Sequence, residues 1–390
     1  MEIIYMGAFR LPNLDAAAPR VLNNAKVFRK LGHKVRFISW GGQYRSEDLC
    51  EDGKYRVDGF EYIISGDLVS GSSLGDRIKA KFFRGKKSIK LLKTGSQPEI
   101  LILYNADYIF TLKMLKYCKI RGIKLVNDIT EWYDNNELKL TDILLNYLNM
   151  TKLQYDVRNK ILISSFLNEY YKESNNIVVP PLCDKSEIKW KKTLSDERVK
   201  SFDGITLIYA GNPGKKDCVH TVINAVNALA LENQNIRFMI LGIEKTQYLK
   251  LYYSYLTNKN LHENIIFLGR VSQDSIPAYY KMADFMVLLR NPNRKSMAGF
   301  PTKFAESMTA GVPVITNATS DLPKYVVDGE TGFLVDGYDY NSVLSVLRNK
   351  VLVLDTMEIE RMKQVTCQRN QTFDIDFYTD KFRYFVENIQ

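Results

Sequence analysis

One segment in the second half of the chain, residues 290–306, combines glycine, proline, several cations and a carboxylate. It begins at the end of the predicted strand DFMVLLR, residues 284–290, and continues as NPNRKSMAGFP before a helix predicted to begin at Thr302. The N–H groups at that helix start, with Arg290, Arg294 and Lys303 nearby, could hold a phosphate. Glu306 lies on the same helix face as Lys303 and could accept from two vicinal hydroxyls. The pattern predicts a site for a ribose diphosphate, and a solvated Lys303–Glu306 ion pair is the alternative.

A second loop, GNPGKKDC at residues 211–218, follows the predicted strand GITLIYAG. Its glycines would let a ligand approach the backbone closely. Lys215 or Lys216 would add a positive charge at a helix N-terminus, which suits a phosphate. It is neither a Walker A loop nor a GxGxxG loop, because no Ser or Thr follows the lysines and the glycine spacing differs. The glycine-rich stretch at 65–75 lacks such a lysine and is interpreted as a flexible turn.

These loops require a parallel sheet, because ligands bind beyond the carboxyl ends of parallel strands. Near-continuous apolar runs alternate with helical patterns in both halves, which predicts an α/β fold with two parallel-sheet domains in tandem. The predicted strands are 2–7, 34–40, 98–105 and 123–128 in the first half and 204–211, 236–242, 264–269, 284–290 and 312–317 in the second.

The 390 residues suggest two or three domains. Paired prolines and a mixed-charge stretch after residue 178 mark a connection, so the predicted boundaries are 1–185, 186–370 and 371–390. The last segment is expected to form a C-terminal helix that could pack back on the first domain.

The net charge of +10 lies in the first half of the chain. Residues 1–200 hold 34 Lys and Arg against 24 Asp and Glu, whereas residues 201–390 hold 20 of each. A basic domain could meet nucleic acid, an anionic membrane or a phosphorylated substrate, or could simply be solvated.

Other features narrow the class of protein. The five cysteines are scattered without a CxxC pair, which fits a reducing cytoplasm. No apolar run approaches the ~18 residues of a membrane span, and the opening MEIIYMGAF lacks a basic stretch ahead of an apolar one, so neither membrane spanning nor secretion is expected. No histidine or carboxylate motif indicates a metal, so no metal site is expected.

Four ordered segments carry a family resemblance. They are GNPGKK, FLGRVSQDSIPAYYKMADFMVLLR, GFPTKFAESMTAGVPVI and YVVDGETGFLVD, within residues 204–340. Together they resemble the donor-binding domain of the family-four GT-B glycosyltransferases, which are retaining enzymes. The resemblance implies two Rossmann-like domains facing across a cleft. The C-terminal domain would hold the nucleotide sugar and the N-terminal domain the acceptor.

The resemblance also implies residue roles. Glu306 would bind the ribose hydroxyls, Lys216 would neutralise the diphosphate, and Arg270 with Val271 would place backbone near the base. Gly299, Phe300, Pro301 and Thr302 match the loop whose amides meet the donor sugar and diphosphate.

Two departures stand out. Ala298 replaces the family's first glutamate, and Asn212 replaces an arginine, leaving its charge to Lys215, Arg290 or Lys303. These departures bear on sugar identity more than on nucleotide binding.

In the first domain, small residues at 16–18 would let a diphosphate approach, and Arg20 could touch it or be a surface charge. Asp128 and Glu131 are candidate polar contacts to the acceptor, with helix capping as the alternative for Asp128.

The implied function is transfer of a hexose-type unit from a nucleotide-diphosphate donor to an acceptor hydroxyl with retention, in cell-surface polysaccharide or glycolipid assembly. The acceptor would be a carbohydrate or a lipid-linked carbohydrate, and neither a further cofactor nor nucleic acid is expected. Lys216, Lys303 and Arg290 would stabilise the leaving group. The alternatives are a nucleotide-sugar epimerase and an inactive nucleotide-sugar-binding subunit. The base, sugar, acceptor and oligomeric state stay open.

Residues 77–93, RIKAKFFRGKKSIKLLK, carry eight Lys or Arg and no acid, with interleaved Phe, Ile and Leu. This composition is typical of a helix that binds an anionic membrane surface. The alternative is a helix whose apolar side covers the sheet. The expectation is a cytoplasmic protein attached peripherally to the membrane.

Overall fold

The protein divides into two compact α/β units. The computed structural model describes residues 1–67, 82–214 and 216–390, apart from the side chains of Thr141 and Asn370. Unit 1 comprises Met1–Leu182 with Ile375–Gln390, and unit 2 comprises Cys183–Asp374. Each unit is built on its own largely parallel sheet, which confirms the predicted fold class.

The described part of unit 1 contains an eight-stranded sheet in the order β3-β4-β2-β1-β5-β6-β7-β8, parallel except for the β3–β4 hairpin. Its strands are β1 (Glu2–Leu11), β2 (Lys34–Gly42), β3 (Arg56–Val57), β4 (Phe60–Ile64), β5 (Ile100–Tyr104), β6 (Lys124–Ile129), β7 (Asn159–Leu162) and β8 (Asn175–Val178). Its helices before the chain leaves for unit 2 are α1 (Ala17–Lys30), α2 (Lys86–Thr94), α3 (Tyr108–Arg121), α4 (Leu140–Leu148), α5 (Gln154–Asp156) and α6 (Ser165–Tyr170).

Both faces of this sheet are buried. Successive side chains of a strand point to opposite faces, so Ile3 and Tyr5 of β1 join one core cluster while Ile4 and Met6 join the other. All five residues of β5 are buried, which accounts for the continuous apolar run ILILY.

The described part of unit 2 contains a six-stranded, fully parallel sheet in the order β11-β10-β9-β12-β13-β14. Its strands are β9 (Ile205–Ala210), β10 (Ile236–Leu241), β11 (Ile265–Gly269), β12 (Phe285–Leu288), β13 (Val314–Asn317) and β14 (Gly332–Val335). Its helices are α7 (Val219–Leu231), α8 (Lys245–Tyr252), α9 (Ile276–Lys281), α10 (Arg294–Ala298), α11 (Thr302–Thr309), α12 (Tyr340–Val346) and α13 (Thr356–Arg369).

The strand order of unit 2 reverses direction between β9 and β12. The chain builds outward from β9 to β11, then returns to place β12 on the other side of β9. Ligands of open parallel sheets bind at such a switch point, beyond the carboxyl ends of the strands. The loops after β9 and β12 therefore meet at the expected place for a binding site.

The chain returns to unit 1 for its last helix, α14 (Thr379–Glu387), which packs on α1 and β8. The rings of Phe28 and Phe382 meet edge to face with centroids 5.0 Å apart. Phe382 and Phe385 belong to the same buried cluster as Ile3 and Tyr5 of β1. This helix is thus part of the unit 1 core.

Short helical turns connect several of these elements. Single 3-10 turns occur at Ser46–Asp48, Asn135–Glu137, Ile188–Trp190, Tyr253–Tyr255, Gln273–Ser275, Leu322–Lys324, Asn370–Phe373 and Ile375–Tyr378, and π-helical turns at Asn149–Leu153 and Leu347–Val351. No helix among the described residues combines the length and the apolar character needed to cross a membrane.

Candidate functional site

The two loops selected from the sequence lie side by side in unit 2. A β-bridge joins Asp217, at the end of the loop after β9, to Arg290, just beyond β12. The Cys218 amide also donates to the Leu289 carbonyl at 2.8 Å. These main-chain contacts hold the start of α7 against the start of the second loop.

A buried carboxylate links the cations of this site. The Asp217 carboxylate accepts from the Arg290 Nε at 2.8 Å and from the Lys303 Nζ at 2.7 Å. The Tyr209 hydroxyl at the end of β9 donates to the same carboxylate at 2.7 Å and accepts from Lys303 Nζ at 2.7 Å. Four side chains from β9, the two loops and α11 thus form one connected cluster.

The electrostatics of the cluster follow from this geometry. Burial alone would raise the pKa of Asp217, but Lys303 and Arg290 outweigh it and hold that pKa well below its usual value. Burial, with the neighbouring carboxylate of Asp217, raises the pKa of Tyr209, so this phenol stays protonated. The cluster therefore combines two cations with one anion and keeps a net positive charge.

The backbone around Arg290 and Lys303 is fixed closely. The Asn317 amide side chain at the end of β13 accepts from the Arg290 N–H at 2.9 Å and donates to the Arg290 carbonyl at 2.7 Å. Gly211 has a positive φ of 137°, and a Cβ there would lie 3.1 Å from Lys303 Nζ. The conformation after β9 therefore favours glycine, and a side chain there would press against Lys303.

The loop before α11 brings the remaining predicted residues to the same edge of the sheet. Phe300 and Pro301 are buried, Gly299 and Thr302 are half-buried, and no side chain caps the N-terminus of α11. These are the features expected of a helix start that binds an anion.

Glu306 lies one turn further along α11 and is half-buried. Burial raises the pKa of Glu306, while Lys189 and Lys303 act in the opposite direction. Lys303 forms its ion pair with Asp217, at 2.7 Å, rather than with Glu306. The alternative of a solvated Lys303–Glu306 pair on a surface helix is therefore wrong.

The other predicted contacts of unit 2 also lie in loops after strands. Lys216 is half-buried between β9 and α7, and Asn212 is exposed in the same loop. Arg270 is exposed and Val271 half-buried, directly after β11. Lys215 lies outside the described residues.

In unit 1, Arg20 and Asp128 form a buried ion pair with each other. Arg20 Nη2 donates to Asp128 Oδ1 at 2.7 Å, and Arg20 Nη1 donates to the Val179 carbonyl at 2.9 Å. The Tyr5 hydroxyl donates to Asp128 Oδ2. Burial opposes the charge of Arg20, but Asp128 keeps the pKa of Arg20 above its usual value.

This pair changes how both residues are interpreted. Arg20 is 5% exposed and Asp128 is fully buried on β6, so Arg20 is not a surface charge and Asp128 does not cap a helix. Their contacts to a diphosphate and to an acceptor stay predictions, because the contacts that the structure gives them are to each other. Glu131 is half-buried beyond the end of β6.

The alanine loop before α1 is also occupied by a local contact. The N–H groups of Ala17 and Ala18 donate to the Asp15 carboxylate at 3.1 and 3.0 Å. The carboxylate thus takes the place in which an anionic ligand was expected to meet this loop.

The sequence interpretation missed Asp217, Asn317 and Ser296. Asp217 directly follows Lys216 in the loop selected for its lysines, so an acid beside the cations was the available signal. Ser296 of α10 is 3% exposed, and its hydroxyl has no hydrogen-bond partner within the described structure. No sequence signal separated Asn317 or Ser296 from ordinary loop residues. Within residues 1–67, 82–214 and 216–390, no group of three or more His, Cys, Asp or Glu side chains is arranged to hold a metal ion.

Comparison with known proteins gives a family match that lies within unit 2. Residues 191–350 match the family described as "Glycosyl transferases group 1". A capsular polysaccharide biosynthesis glycosyltransferase, CapM from Staphylococcus aureus, is 24% identical over 357 residues, covering 86% of this chain and 85% of CapM. An uncharacterised 41.2 kDa protein from the cps region of Klebsiella pneumoniae is 30% identical over 121 residues, which cover 31% of this chain and 29% of that protein.

One solved structure is similar to this protein over nearly the whole chain. HepE from Anabaena, crystallised with UDP-glucose, superposes with a TM-score of 0.70 at 14% identity and covers 99% of both chains. The fold is therefore GT-B. The match to the group 1 glycosyl transferases lies in unit 2, in agreement with the resemblance.

Proposed function

We propose that this protein transfers a sugar from a nucleotide-diphosphate donor, bound by unit 2, to a hydroxyl of a carbohydrate or lipid-linked carbohydrate acceptor. The donor sugar would be of the hexose type, and its anomeric configuration would be retained. No further cofactor is needed for this chemistry. The product would be part of a cell-surface polysaccharide or glycolipid.

One observation carries this proposal. The start of α11, with no capping side chain, lies at the switch point of the unit 2 sheet together with Lys303 and Arg290 of the cationic cluster. Glu306 follows on the same helix. A helix start with two cations fits a diphosphate, and a half-buried carboxylate nearby fits the vicinal hydroxyls of a ribose.

The residues of this site would act by positioning and by charge. As the bond between the anomeric carbon and the diphosphate oxygen breaks, negative charge grows on the diphosphate. Lys216, Lys303, Arg290 and the N–H groups of α11 would stabilise that charge. Asp217 would hold Lys303 and Arg290 in place before the donor binds.

Retention requires the acceptor to attack from the face that the diphosphate leaves. The acceptor oxygen bonds to the anomeric carbon, and its proton passes to an oxygen of the departing diphosphate. This route balances the proton and needs no protein base.

Named relatives support the substrate class. CapM is named for capsular polysaccharide biosynthesis, and HepE was crystallised with UDP-glucose. A UDP-sugar donor and a polysaccharide product are therefore the first choices to examine for this chain.

The direct test is binding of nucleotides and nucleotide sugars to the full chain, followed by thermal unfolding with UDP-, GDP-, ADP- and CMP-sugars. A ligand at ~100 times its dissociation constant adds ~2.7 kcal/mol of stability. We expect one nucleotide to stabilise the protein clearly more than the others. Equal, negligible stabilisation by all of them would contradict the proposal.

The role of Glu306 is tested with UDP and 2′-deoxy-UDP, or the matching pair for the preferred base. Loss of a hydrogen bond to a charged group costs ~1.5–3 kcal/mol, so wild type should bind the deoxy compound more weakly. In Glu306→Ala no side-chain acceptor remains, so the two compounds should bind alike. Glu360→Ala, at an exposed position of α13, should behave as wild type.

A second candidate is a nucleotide-sugar-binding subunit without transferase activity. Ala298 is fully buried where the family resemblance places a glutamate, so this position offers the donor sugar no carboxylate. Binding of a nucleotide sugar without transfer or hydrolysis, with every acceptor offered, would favour this candidate. Release of free nucleotide during sugar transfer would favour the transferase, whereas an epimerase would leave the nucleotide attached.

We also propose that unit 1 attaches peripherally to an anionic membrane surface. Within the basic segment 77–93, residues 77–81 lie outside the described structure, and α2 exposes Lys86, Lys87, Lys90 and Lys93. Leu92 packs in the unit 1 core, as the sheet-covering alternative required, while Phe82 and Phe83 are 61% and 51% exposed. Exposed lysines beside two exposed aromatic rings favour a membrane interface.

A further inference from the structure

Three buried hydroxyl groups of unit 2 have no hydrogen-bond partner within the described structure. They belong to Ser296, on α10 in the loop after β12, and to Thr319 and Ser320, in the loop after β13. Ser296 is 3% exposed and Thr319 is 1% exposed. Most buried hydroxyls in folded proteins are paired, because an unpaired one loses its hydrogen bonds to water without replacing them. Three unpaired hydroxyls in two loops therefore point to a partner that binds there.

The two loops are joined at two places. Where they leave the sheet, the Asn317 side chain makes two hydrogen bonds to the main chain of Arg290, at 2.9 and 2.7 Å. Further along, the rings of Phe300 and Tyr325 meet edge to face with centroids 5.7 Å apart. In both loops, the residues with unpaired hydroxyls lie between these two contacts along the chain. The hydroxyls thus come from segments that the fold holds side by side.

The backbone at Ser320 is strained. Its φ is 51°, in the left-handed region that glycine adopts readily and that most other residues avoid. The Thr319 N–H donates to the Asn317 carbonyl at 2.8 Å, and the Leu322 N–H donates to the Thr319 carbonyl at 3.2 Å. These main-chain bonds fix the turn that carries two of the hydroxyls, so their positions are set before a ligand binds.

Both loops border the start of α11, where the diphosphate is proposed to bind. The loop after β12 leads directly into Thr302, the first residue of α11. Arg290, at the beginning of that loop, shares the Asp217 carboxylate with Lys303. In a nucleotide sugar the sugar is bonded to the terminal phosphate, so its ring lies directly beside the diphosphate. The unpaired hydroxyls are therefore on loops that the sugar would meet.

The chemistry of these groups suits a sugar ring. A hydroxyl of Ser or Thr donates one hydrogen bond and accepts others, and so does each hydroxyl of a sugar. Ala298, which is fully buried between Ser296 and the start of α11, contributes no polar side chain. Neutral hydroxyls are thus the unsatisfied side-chain groups on these two loops that a sugar would pair with.

Ordered water is the alternative partner of these hydroxyls. A buried water molecule typically makes about three hydrogen bonds, which three hydroxyls would supply. Water would fill this place in the free protein, and a sugar hydroxyl would replace it in the complex with the donor. Ligands with and without a sugar distinguish the two partners.

We propose that the hydroxyls of Ser296, Thr319 and Ser320 bind the sugar of the nucleotide-sugar donor and contribute to its selection. The assignment rests on the proposed transferase function. It separates residues that contact the sugar from Glu306 and Lys303, which would contact the nucleotide.

The test measures the binding of matched ligands to the full chain by isothermal titration calorimetry. UDP is compared with UDP-glucose and UDP-N-acetylglucosamine, and GDP with GDP-mannose. In Ser296→Ala and in Thr319→Val, the nucleotide sugar that wild type prefers should bind about three- to tenfold more weakly, because one neutral hydrogen bond is lost. Binding of the parent UDP or GDP should change by less than about twofold, since neither carries the transferred sugar.

Tyr248→Phe is the matched control. The Tyr248 hydroxyl is also buried without a partner in the described structure, but it lies on α8, which follows β10. Its removal should leave the binding of both kinds of ligand as in wild type. Neither this change nor Ser296→Ala or Thr319→Val removes a side-chain hydrogen bond from the free protein, so all three variants should fold.

Ser320→Gly tests the third hydroxyl. Glycine adopts the backbone conformation at this position readily, so the turn should persist while the hydroxyl is lost. The variant should weaken binding of the nucleotide sugar as the other two do, and leave binding of UDP or GDP unchanged.

The two proposals fail in different ways. Wild-type affinity for the nucleotide sugar in all three hydroxyl variants overturns the assignment and leaves the hydroxyls to water. Equal weakening of the nucleotide sugar and of its parent diphosphate overturns it as well, because the hydroxyls would then act on the nucleotide. Absence of binding of every one of these ligands to wild type would contradict the donor site itself, and this assignment with it.

Discussion

Each unit carries a charged cluster that is buried almost completely. In unit 2, Asp217 bonds to Arg290 and Lys303, and in unit 1, Arg20 bonds to Asp128. Removing one partner of such a pair leaves an uncompensated buried charge, which costs far more than losing a surface pair. These residues therefore combine a candidate functional role with a large effect on stability.

Asp217→Asn should lower the free energy of unfolding by about 3–5 kcal/mol, because two buried cations lose their counter-charge. Asp328→Asn is the matched control, since Asp328 pairs with Lys350 at 2.8 Å but both side chains are exposed. That change should cost less than ~1 kcal/mol. Chemical denaturation of both variants measures the two free energies of unfolding. Similar decreases would mean that the buried Asp217 cluster stabilises the protein no more than an exposed ion pair does.

The same carboxylate predicts an acid dependence. The pKa of Asp217 in the folded protein lies well below its unperturbed value of 3.8. Its stabilising effect is therefore complete above that value and is lost as the pH falls below about 4, where the unfolded state takes up the proton first. Below that pH the difference in stability between wild type and Asp217→Asn should shrink.

Lys160 predicts a dependence at alkaline pH. This lysine of β7 is fully buried, donates to Ser174 Oγ at 2.6 Å, and has its pKa lowered by burial from 10.5 to about 7. Between those values only the unfolded state binds the proton, so the free energy of unfolding should fall by up to ~1.4 kcal/mol for each pH unit of decrease.

Lys160→Met should remove this slope, which denaturation between pH 7 and pH 9.5 would measure. Lys172→Met, at a position 66% exposed in the same unit, should keep the wild-type slope. An unchanged slope in Lys160→Met would show that this lysine keeps its charge in the folded state.

Among the elements, α14 shows how distant parts of the chain complete one core. It is the last helix of the chain, yet its ring Phe382 contacts Phe28 of α1, and Phe385 shares the cluster formed around β1. The stability of unit 1 therefore depends on a segment that the chain reaches only after building unit 2.

Phe382→Ala should destabilise unit 1 by about 3–5 kcal/mol, because it removes a fully buried ring and leaves a cavity. Tyr384→Ala removes an aromatic side chain from the same helix at a position that is 70% exposed. That control should change stability by less than about 0.5 kcal/mol. Hydrogen exchange of the unit 1 amides, followed with denaturation, would detect the difference, and equal effects would contradict the packing described for α14.

For the whole molecule, the relevant property is the uneven distribution of charge. The surplus of basic residues lies within residues 1–200, and α2 displays four of those lysines to solvent. Each basic residue near an anionic membrane surface contributes ~1 kcal/mol, and salt weakens this attraction.

We expect the protein to sediment with anionic vesicles at low salt and to be released by high salt. It should not bind neutral vesicles. Lys86→Glu with Lys87→Glu should reduce binding strongly. Lys191→Glu with Lys192→Glu makes the same change in net charge at exposed positions of unit 2 and should have little effect. No binding of wild type to anionic vesicles at low salt would contradict the membrane proposal. Equal loss of vesicle binding in the two double variants would show that binding depends on net charge and not on α2.

The sequence determined the alternation of strands and helices and the loops on which chemistry would lie. The predicted strands at 2–7, 123–128, 236–242 and 312–317 overlap β1, β6, β10 and β13 within a few residues at each end. Periodicity of apolar residues and glycine or proline at chain reversals are local signals, so they can be interpreted without the fold. The sequence analysis did not predict several shorter elements, among them the β3–β4 hairpin and β7. The sequence of β7, NKIL, buries the polar residues Asn159 and Lys160.

Only the tertiary structure decided which charged groups meet. Asp217 follows Lys216 in the chain but bonds to Arg290 and Lys303, which are 73 and 86 residues away, and Arg20 reaches Asp128 across 108 residues. Strand order and register set these pairings, and neither is encoded in local pattern. Desolvation then forces each buried charge to take the partner that the sheet brings within reach, because an unpaired charge cannot remain in the core.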